Sequence, residues 1–240
     1  MNIAVAILAG GLATRLGSIT EKIPKSLVQV DSDPFARHQL RLLKQNGLTR
    51  VVFCVGHMGE RIVEALGDGR SLGMEVRYSF DGPTLLGTGG ALRHALPLLG
   101  DAFFVLYGDS YLDCDYVAVE AAYRRSGKLG LMTVFCNNNC WDRSNVLFES
   151  GRIRCYDKKR ASSEMQHIDY GLGVLSAGSL SPYPEHSSFD LETIYQDLLA
   201  RDQLAGFEVK ERFYEIGSPE GLKDTRDYLQ KHSLTWGDKQ

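Results

Sequence analysis

The sequence predicts an α/β fold, a mixed but mostly parallel sheet flanked by helices, and three observations carry that expectation. Apolar strand-like runs alternate with segments of helical period from the amino terminus onward, the pattern that yields parallel strands with helical crossovers. The runs IAVAIL, RVVFCV and AFFVLY are apolar at successive positions, as buried strands are. Further on, LGLMTVFC, NVLFES, GRIRCYDKK and IDYGLGVLS all read as strands, some of them paired antiparallel, which makes the sheet mixed.

IAVAIL leads into the glycine loop AGGLATRLG. PFARHQLRLLKQNG then places Phe35, Gln39, Leu42 and Leu43 near one helical face before a stop at Gly47. RVVFCVG is a buried strand, and GERIVEALGDG a short helix ending in a glycine-rich turn. MEVRYSF alternates Met74, Val76, Tyr78 and Phe80 as a half-buried strand does. LLGTGGALRHALPLLG opens with glycines and continues as a helix carrying Leu92, Ala95, Leu96 and Leu99; AFFVLYGDS is an apolar strand that stops at Gly108 and Asp109. In FDLETIYQDLLARDQL, Asp190 is the expected helix cap with Glu192 in the first turn. FYEIGSPEGLKDTRDYL closes the chain with a strand, a turn and a helix.

Among 240 residues, 43% are hydrophobic and 24% charged, enough apolar material for a sizeable core, which excludes disorder, collagen and coiled coil as the main architecture. An α/β fold of this length is commonly one domain, and no repeat, low-complexity tract or linker divides it, so residues 1–240 are expected to form a single domain. The balance of 27 basic and 30 acidic residues gives a net charge of -3, so nothing steers the whole molecule to nucleic acid or an anionic membrane, and any bound anion is held locally. The opening MNIAVAILAGGLATRL lacks the cationic start and cleavage region of a secretory signal, and its apolar run is far short of a membrane span, so a cytoplasmic protein is expected. Cys54, Cys114, Cys136, Cys140 and Cys155 are odd in number and form no C-x-x-C pair, so they read as free thiols. Cys136 and Cys140 are the nearest pair and lack a matching His or Cys pair at zinc-site spacing.

Open α/β sheets bind ligands at the carboxyl ends of their strands, which directs attention to the loops after IAVAIL, YSF, FFVLY and FYE. In Leu8-Ala9-Gly10-Gly11-Leu12-Ala13-Thr14-Arg15, adjacent glycines let backbone amides approach an anion, and Arg15 can fork onto phosphate oxygens. The loop is neither a P-loop nor a dinucleotide fingerprint, since G-x-x-x-x-G-K-[ST] and G-x-G-x-x-G are both absent. Lys25, ten residues beyond Arg15, follows Pro24, whose restricted backbone can aim it at the same cleft.

These residues match L-x-G-G-x-x-T-R-L followed by P-K, and the chain thereby resembles the sugar-1-phosphate nucleotidylyltransferases. The resemblance extends in family order through Gly87-Thr88-Gly89-Gly90-Ala91, Tyr107-Gly108-Asp109, Tyr156-Asp157-Lys158 and Glu215-Ile216-Gly217-Ser218-Pro219-Glu220. It implies a Rossmann-like fold in which Leu8, Ala9, Gly10, Gly11, Gly87 and Thr88 meet a nucleoside triphosphate while Arg15 and Lys25 neutralise its phosphates during attack by a sugar 1-phosphate. It implies a Mg2+ held by Asp109 and Glu215, though the family has D-I-G-T-P where this chain reads Glu215-Ile216-Gly217-Ser218-Pro219. It sets Gly108, Lys158, Asp169 and Gly171 toward the sugar phosphate. Here too the chain departs from the family, with Asp157-Lys158-Lys159 for E-K-P and Asp169-Tyr170-Gly171 for N-A-G.

The loop from Ser79 to Gly87 matches the region that reads the base in the family, and Asp81 is its acid. A carboxylate only accepts hydrogen bonds, and guanine offers two adjacent donors on its Watson-Crick edge where uracil and thymine offer one. L-G-T-G-G-A looks most like the mannose and manno-heptose guanylyltransferase branch, so GTP is favoured, with UTP the nearest alternative because muramic acid phosphate uridylyltransferases carry an acid in the same loop. The chain stops soon after its final helix, without room for the left-handed β-helix that some relatives carry, so a single-function enzyme is expected, and assembly as a homo-oligomer stays open. Two other classes remain: a catalytically silent nucleotide-sugar sensor, and a retaining glycosyltransferase using the D-x-D run Asp113-Cys114-Asp115. His57 and His94 lie near glycine turns without a partner in a nucleophile motif and read as structural or solvated.

Overall fold

A computed structural model describes residues 3–11, 23–160 and 162–233. Leu12 to Leu16, Arg15 among them, lie outside the described residues.

The first half alternates strands and helices as expected: β1 (Ala4–Leu8), β2 (Gln29–Val30), β3 (Asp33–Pro34), α1 (Phe35–Gln45), β4 (Arg50–Val55), α2 (Gly59–Leu66), β5 (Glu75–Phe80), α3 (Gly87–Leu99) and β6 (Ala102–Tyr107). The second half adds β7 (Ser110–Tyr111), α4 (Tyr116–Ser126), β8 (Gly130–Cys136), β9 (Val146–Glu149), β10 (Arg152–Tyr156), β11 (His167–Ser176), α5 (Ala177–Leu180), α6 (Leu191–Ala200), β12 (Leu204–Val209), β13 (Tyr214–Glu215) and α7 (Pro219–Ser233). Among the described residues the main sheet runs β10-β9-β11-β6-β1-β4-β5, with β8 pairing both β11 and β12. β5, β4, β1 and β6 are mutually parallel, and β11 is antiparallel to β6. The order reverses direction between β1 and β6, the switch point at which open α/β sheets bind ligands.

The successive apolar residues of the central strands are explained by two cores. Val5, Ile7, Phe53, Val55, Phe104 and Leu106 pack with α1, α2 and α4 on one face. Ala4, Ala6, Val52, Cys54, Phe103 and Val105 pack with α3, α5 and α6 on the other. Burying side chains such as Ile7 and Phe53 contributes about 1.5–3 kcal/mol each to the sheet centre. A third cluster joins Val28, Val30, Phe35 and Leu42 to Tyr111, Ile216 and Leu229. It ties α7 and the short ribbon β7-β13 to the segment that carries Lys25.

Two local expectations are corrected. In β5 the alternation breaks at its end: Ser79 is buried and Phe80 is 39% exposed, its ring lying over Gly59 at the start of α2. Asp190 occupies the cap position of α6 without a capping bond; Thr88 of α3 supplies it, its Oγ1 accepting from the Leu191 N–H at 2.7 Å. α4 and β12 were not anticipated. α4 is capped by Asp115, which accepts from the Ala118 N–H at 2.9 Å, while Asp113 accepts from the Tyr228 hydroxyl at 2.7 Å, so the D-x-D run serves as fold scaffolding.

Candidate active site

A cleft of about 330 Å³ opens at the carboxyl ends of β1, β4 and β6, at the switch point. Its lining brings together Leu8, Ala9, Gly10, Gly11, Lys25, Asp81, Gly87, Thr88, Gly108 and Asp109. These are the predicted nucleotide residues, one of the two predicted catalytic cations, one of the two predicted metal carboxylates and Gly108 of the predicted sugar-phosphate group, gathered from five separate stretches of chain.

The floor is made by strand ends that approach closely. Ala9 donates to the Cys54 carbonyl at 2.8 Å and Gly108 to the Leu8 carbonyl at 2.9 Å, extending the parallel ladder one residue past each strand. A Cβ on Gly10 would lie 3.2 Å from the Gly56 nitrogen, and one on Gly56 would lie 2.9 Å from the Gly10 carbonyl oxygen, so the two glycines together allow β1 and β4 to end side by side.

Lys25 stands in a short turn, Lys25–Leu27, entered from Pro24 at φ -57. Its Nζ donates to Asp109 Oδ2 at 2.9 Å, with the two side chains 17% and 28% exposed. This lysine faces the cleft with its charge half-satisfied by a carboxylate, ready to be shared with an incoming anion. Ser26 beside it is buried, lines the cleft, and has no hydrogen-bond partner for its Oγ among the described residues.

Asp109 is aimed by a residue that sequence reading placed on the apolar face of α1. Gln39, 2% exposed, donates from one amide nitrogen to the Tyr107 carbonyl at 2.9 Å and the Ser110 carbonyl at 2.7 Å, clamping both sides of Gly108-Asp109. The signal available beforehand was a polar residue on a helix face otherwise lined by Phe35, Leu42 and Leu43, since a buried amide needs partners.

Glu215 sits one strand away. It pairs in register with Ser110, and the Ile216 N–H donates to the Asp109 carbonyl at 2.9 Å. Its carboxylate folds against Gly217 and Gly221, where a Cβ would meet Glu215 oxygens at 2.5 Å and 3.1 Å, and it is not among the cleft-lining residues. The hard carboxylate oxygens of Asp109 suit a hard divalent cation, with Glu215 adjacent in the ribbon.

Asp81 also lines the cleft, its Oδ2 3.6 Å from where a Cβ on Gly10 would lie. Its Oδ2 accepts from the Leu86 N–H at 3.1 Å, and burial pushes its carboxyl above the ordinary range, against the lowering effects of that bond and of His94. Gly87, at φ +70, turns the chain into α3, and close packing explains the glycines that follow it. The Gly89 and Gly90 N–H groups both donate to the Phe189 carbonyl, at 2.9 and 3.1 Å, and a Cβ on Gly90 would collide with the Ser187 carbonyl. That packing brings Asp190 to the cleft wall, where Thr88 donates to its Oδ1 at 3.4 Å.

Lys158, Asp169 and Gly171 form a second group behind Tyr107, whose ring lines the cleft. Lys158 Nζ lies 3.5 Å from Asp169 Oδ2, 3.4 Å from the Tyr107 hydroxyl and 5.4 Å from the Tyr107 ring centre. Burial opposes the Lys158 charge, but Asp169, Tyr107 and Glu192 outweigh it and raise its pKa. Asp169, 5% exposed, also accepts from the Tyr156 hydroxyl at 3.0 Å and the Gly171 N–H at 3.1 Å. The Asp169-Tyr170-Gly171 turn is a bulge within β11, with Gly171 at φ +94.

Comparison with known proteins adds three kinds of finding. A sequence profile described as "Nucleotidyl transferase" matches residues 4–140. The chain is 27% identical over 216 residues to a D-glycero-alpha-D-manno-heptose 1-phosphate guanylyltransferase of Campylobacter jejuni, covering 89% of this chain and 94% of that protein. It is 27% identical over 201 residues to a UTP–glucose-1-phosphate uridylyltransferase of Synechocystis, covering 77% of this chain and 52% of that protein, so it spans about half the length of that relative. In three dimensions it is similar to HddC from Yersinia pseudotuberculosis complexed with GMP-PN, with a TM-score of 0.78, 25% identity, and coverage of 95% of this chain and 99% of the other. Among the described residues no helix is long and apolar enough to cross a membrane.

Proposed function

This chain belongs to the nucleotidyl transferase family, and from that premise we propose that it is a sugar-1-phosphate nucleotidylyltransferase that takes GTP and a manno-heptose or hexose 1-phosphate, working in the cytoplasm as one domain over residues 1–240. The observation that carries this reading is the cleft at the switch point, whose lining gathers the glycine floor, Lys25, Asp109 and Asp81. In the reaction, a phosphate oxygen of the sugar 1-phosphate forms a bond to the α-phosphorus of the triphosphate while the bond to the β-phosphate oxygen breaks, releasing pyrophosphate and leaving an NDP-sugar.

No protein nucleophile is required, so positioning and charge neutralisation supply the acceleration. The amides of Gly10 and Gly11 approach the phosphates, and Lys25 and Arg15 neutralise negative charge as it moves from the attacking phosphate oxygen onto the leaving pyrophosphate. Asp109 and Glu215 are the residues that would hold Mg2+, which when bound adds positive charge to the phosphate oxygens. Lys158 receives the sugar phosphate across the Tyr107 ring, and Gly108, Asp169 and Gly171 border the sugar. Asp81 reads the base by accepting hydrogen bonds from the guanine edge.

UTP is the second reading, favoured by the likeness to the Synechocystis uridylyltransferase. A matrix of GTP, UTP, CTP, dTTP and ATP against mannose, manno-heptose, glucose and N-acetylmuramic acid 1-phosphates, scored by Mg2+-dependent pyrophosphate release, decides between them. Turnover greatest in the GTP row supports the proposal. Turnover greatest with UTP moves the assignment to a uridylyltransferase, and silence across the matrix overturns catalysis in favour of a nucleotide-sugar sensor.

A further inference from the structure

Outside the cleft, three side chains converge with the chemistry of a metal site. His94 of α3, and Glu185 and His186 of the segment between α5 and α6, each offer a ligand atom within 4.8 Å of the others. The rings of His94 and His186 are 5.2 Å apart, and none of the three residues lines the cleft. His94 Nδ1 is buried with no hydrogen-bond partner among the described residues, and burying such a nitrogen unpaired is costly. His186 holds φ +65, a left-handed conformation uncommon for a residue with a side chain.

Two imidazoles and one carboxylate suit a borderline cation, with three protein ligands and a fourth position for water, and suit poorly the all-oxygen octahedron of Mg2+. Glu185 and His186 are exposed, so their torsions are free to close on an ion at about 2.0–2.2 Å. We propose that the protein binds one zinc-class transition-metal ion through His94, Glu185 and His186, and that this ion clips the 183–190 segment to α3. The clip reinforces contacts already present: Arg93 donates to the Tyr183 carbonyl at 3.0 Å, and Ser188 to the Leu85 carbonyl at 3.3 Å. It bears on the nucleotide end of the cleft, because α3 carries Gly87 and Thr88 there and the clipped segment leads directly into Asp190.

The test uses the untagged full-length chain and titrates Zn2+ and Co2+ against wild type, His94→Gln, His186→Ala and a Cys136→Ser/Cys140→Ser double variant, with circular dichroism to verify folding. The expected result is one ion per chain, cobalt d–d bands without thiolate charge transfer, and unchanged binding in the cysteine variant. Each histidine variant should lose at least about tenfold in affinity, since even outer-shell changes at metal sites cost 10- to 100-fold. Wild-type affinity in either histidine variant, or thiolate bands that vanish in the cysteine variant, overturns the site. Amide exchange in 183–190 should slow with Zn2+ in wild type and not in His186→Ala; exchange indifferent to Zn2+ in wild type overturns the clip.

Discussion

Replacing Gln39 with leucine tests how the catalytic end of the cleft is held in place. Leucine keeps most of the buried bulk and removes both donors, so the Tyr107 and Ser110 carbonyls lose bonds of 2.9 and 2.7 Å. A buried acceptor stripped of its donor costs about 1–3 kcal/mol. Gln39 Oε1 has no partner of its own among the described residues, so its removal returns part of that cost, and the net for two carbonyls is about 2–3 kcal/mol. For a chain of this size that lowers the melting temperature by about 5–10 °C. The same two bonds flank Gly108-Asp109, and displacement of a positioned group by about 1 Å can cost 100-fold, so kcat should fall about 10- to 100-fold while KM for the triphosphate changes less. A positioning role further requires that more Mg2+ be needed for half-maximal rate. Thermal melts and pyrophosphate release at several Mg2+ concentrations read all three effects, with Gln39→Met as a second donor-free variant. A melting temperature within about 1 °C of wild type together with an unchanged kcat would show that the clamp neither stabilises nor positions.

Arg15→Ala and Lys25→Ala should each cut turnover by a large factor in single-turnover assays with the fold intact by circular dichroism, and Lys25→Arg should also be poor because the planar fork has a different reach; wild-type rates in either alanine variant remove that cation from the site. Asp81→Asn should weaken GTP use by about 10- to 100-fold with less effect on UTP, the scale of a lost charged hydrogen-bond pair, and an unchanged ratio of kcat/KM values excludes Asp81 from base reading. Because burial raises the Asp81 carboxyl, the folded chain keeps its proton to higher pH than the unfolded chain; stability relative to Asp81→Asn should therefore decline as pH rises through that window, and GTP use should fall as pH drops through the raised value. Glu215→Asp should stay active while Glu215→Ala and Asp109→Asn lose activity, with partial rescue by Mn2+, whose binding is tighter; full Mg2+-dependent activity in Glu215→Ala leaves Asp109 as the only protein ligand to defend.

Most of the fold was legible because local patterns and tertiary demands agree. IAVAIL, RVVFCV and AFFVLY are apolar on both faces, and only a sheet covered twice satisfies them. α4 and β12 escaped notice because their patterns are weak on their own: α4 exposes Val117 while burying Glu120, and β12 is half-buried along most of its length. In the site, Gly10, Gly11 and Lys25 were readable because phosphate chemistry constrains residue type at short spacing, and a glycine pair beside cations has few other uses, whereas Asp109 entered through the family resemblance. What the amino-acid order determined by itself was this inventory: which strands are buried, which loops can hold an anion, and which side chains carry charge. Tertiary structure alone decided who meets whom. Gln39 lies 68 residues from the carbonyl it clamps, Thr88 caps a helix 103 residues away, and Lys25 finds Asp109 across 84. Such pairings follow from strand order and helix packing, and local sequence does not encode them, because an amide or hydroxyl reads alike on any surface until the backbone groups it must satisfy have been folded against it.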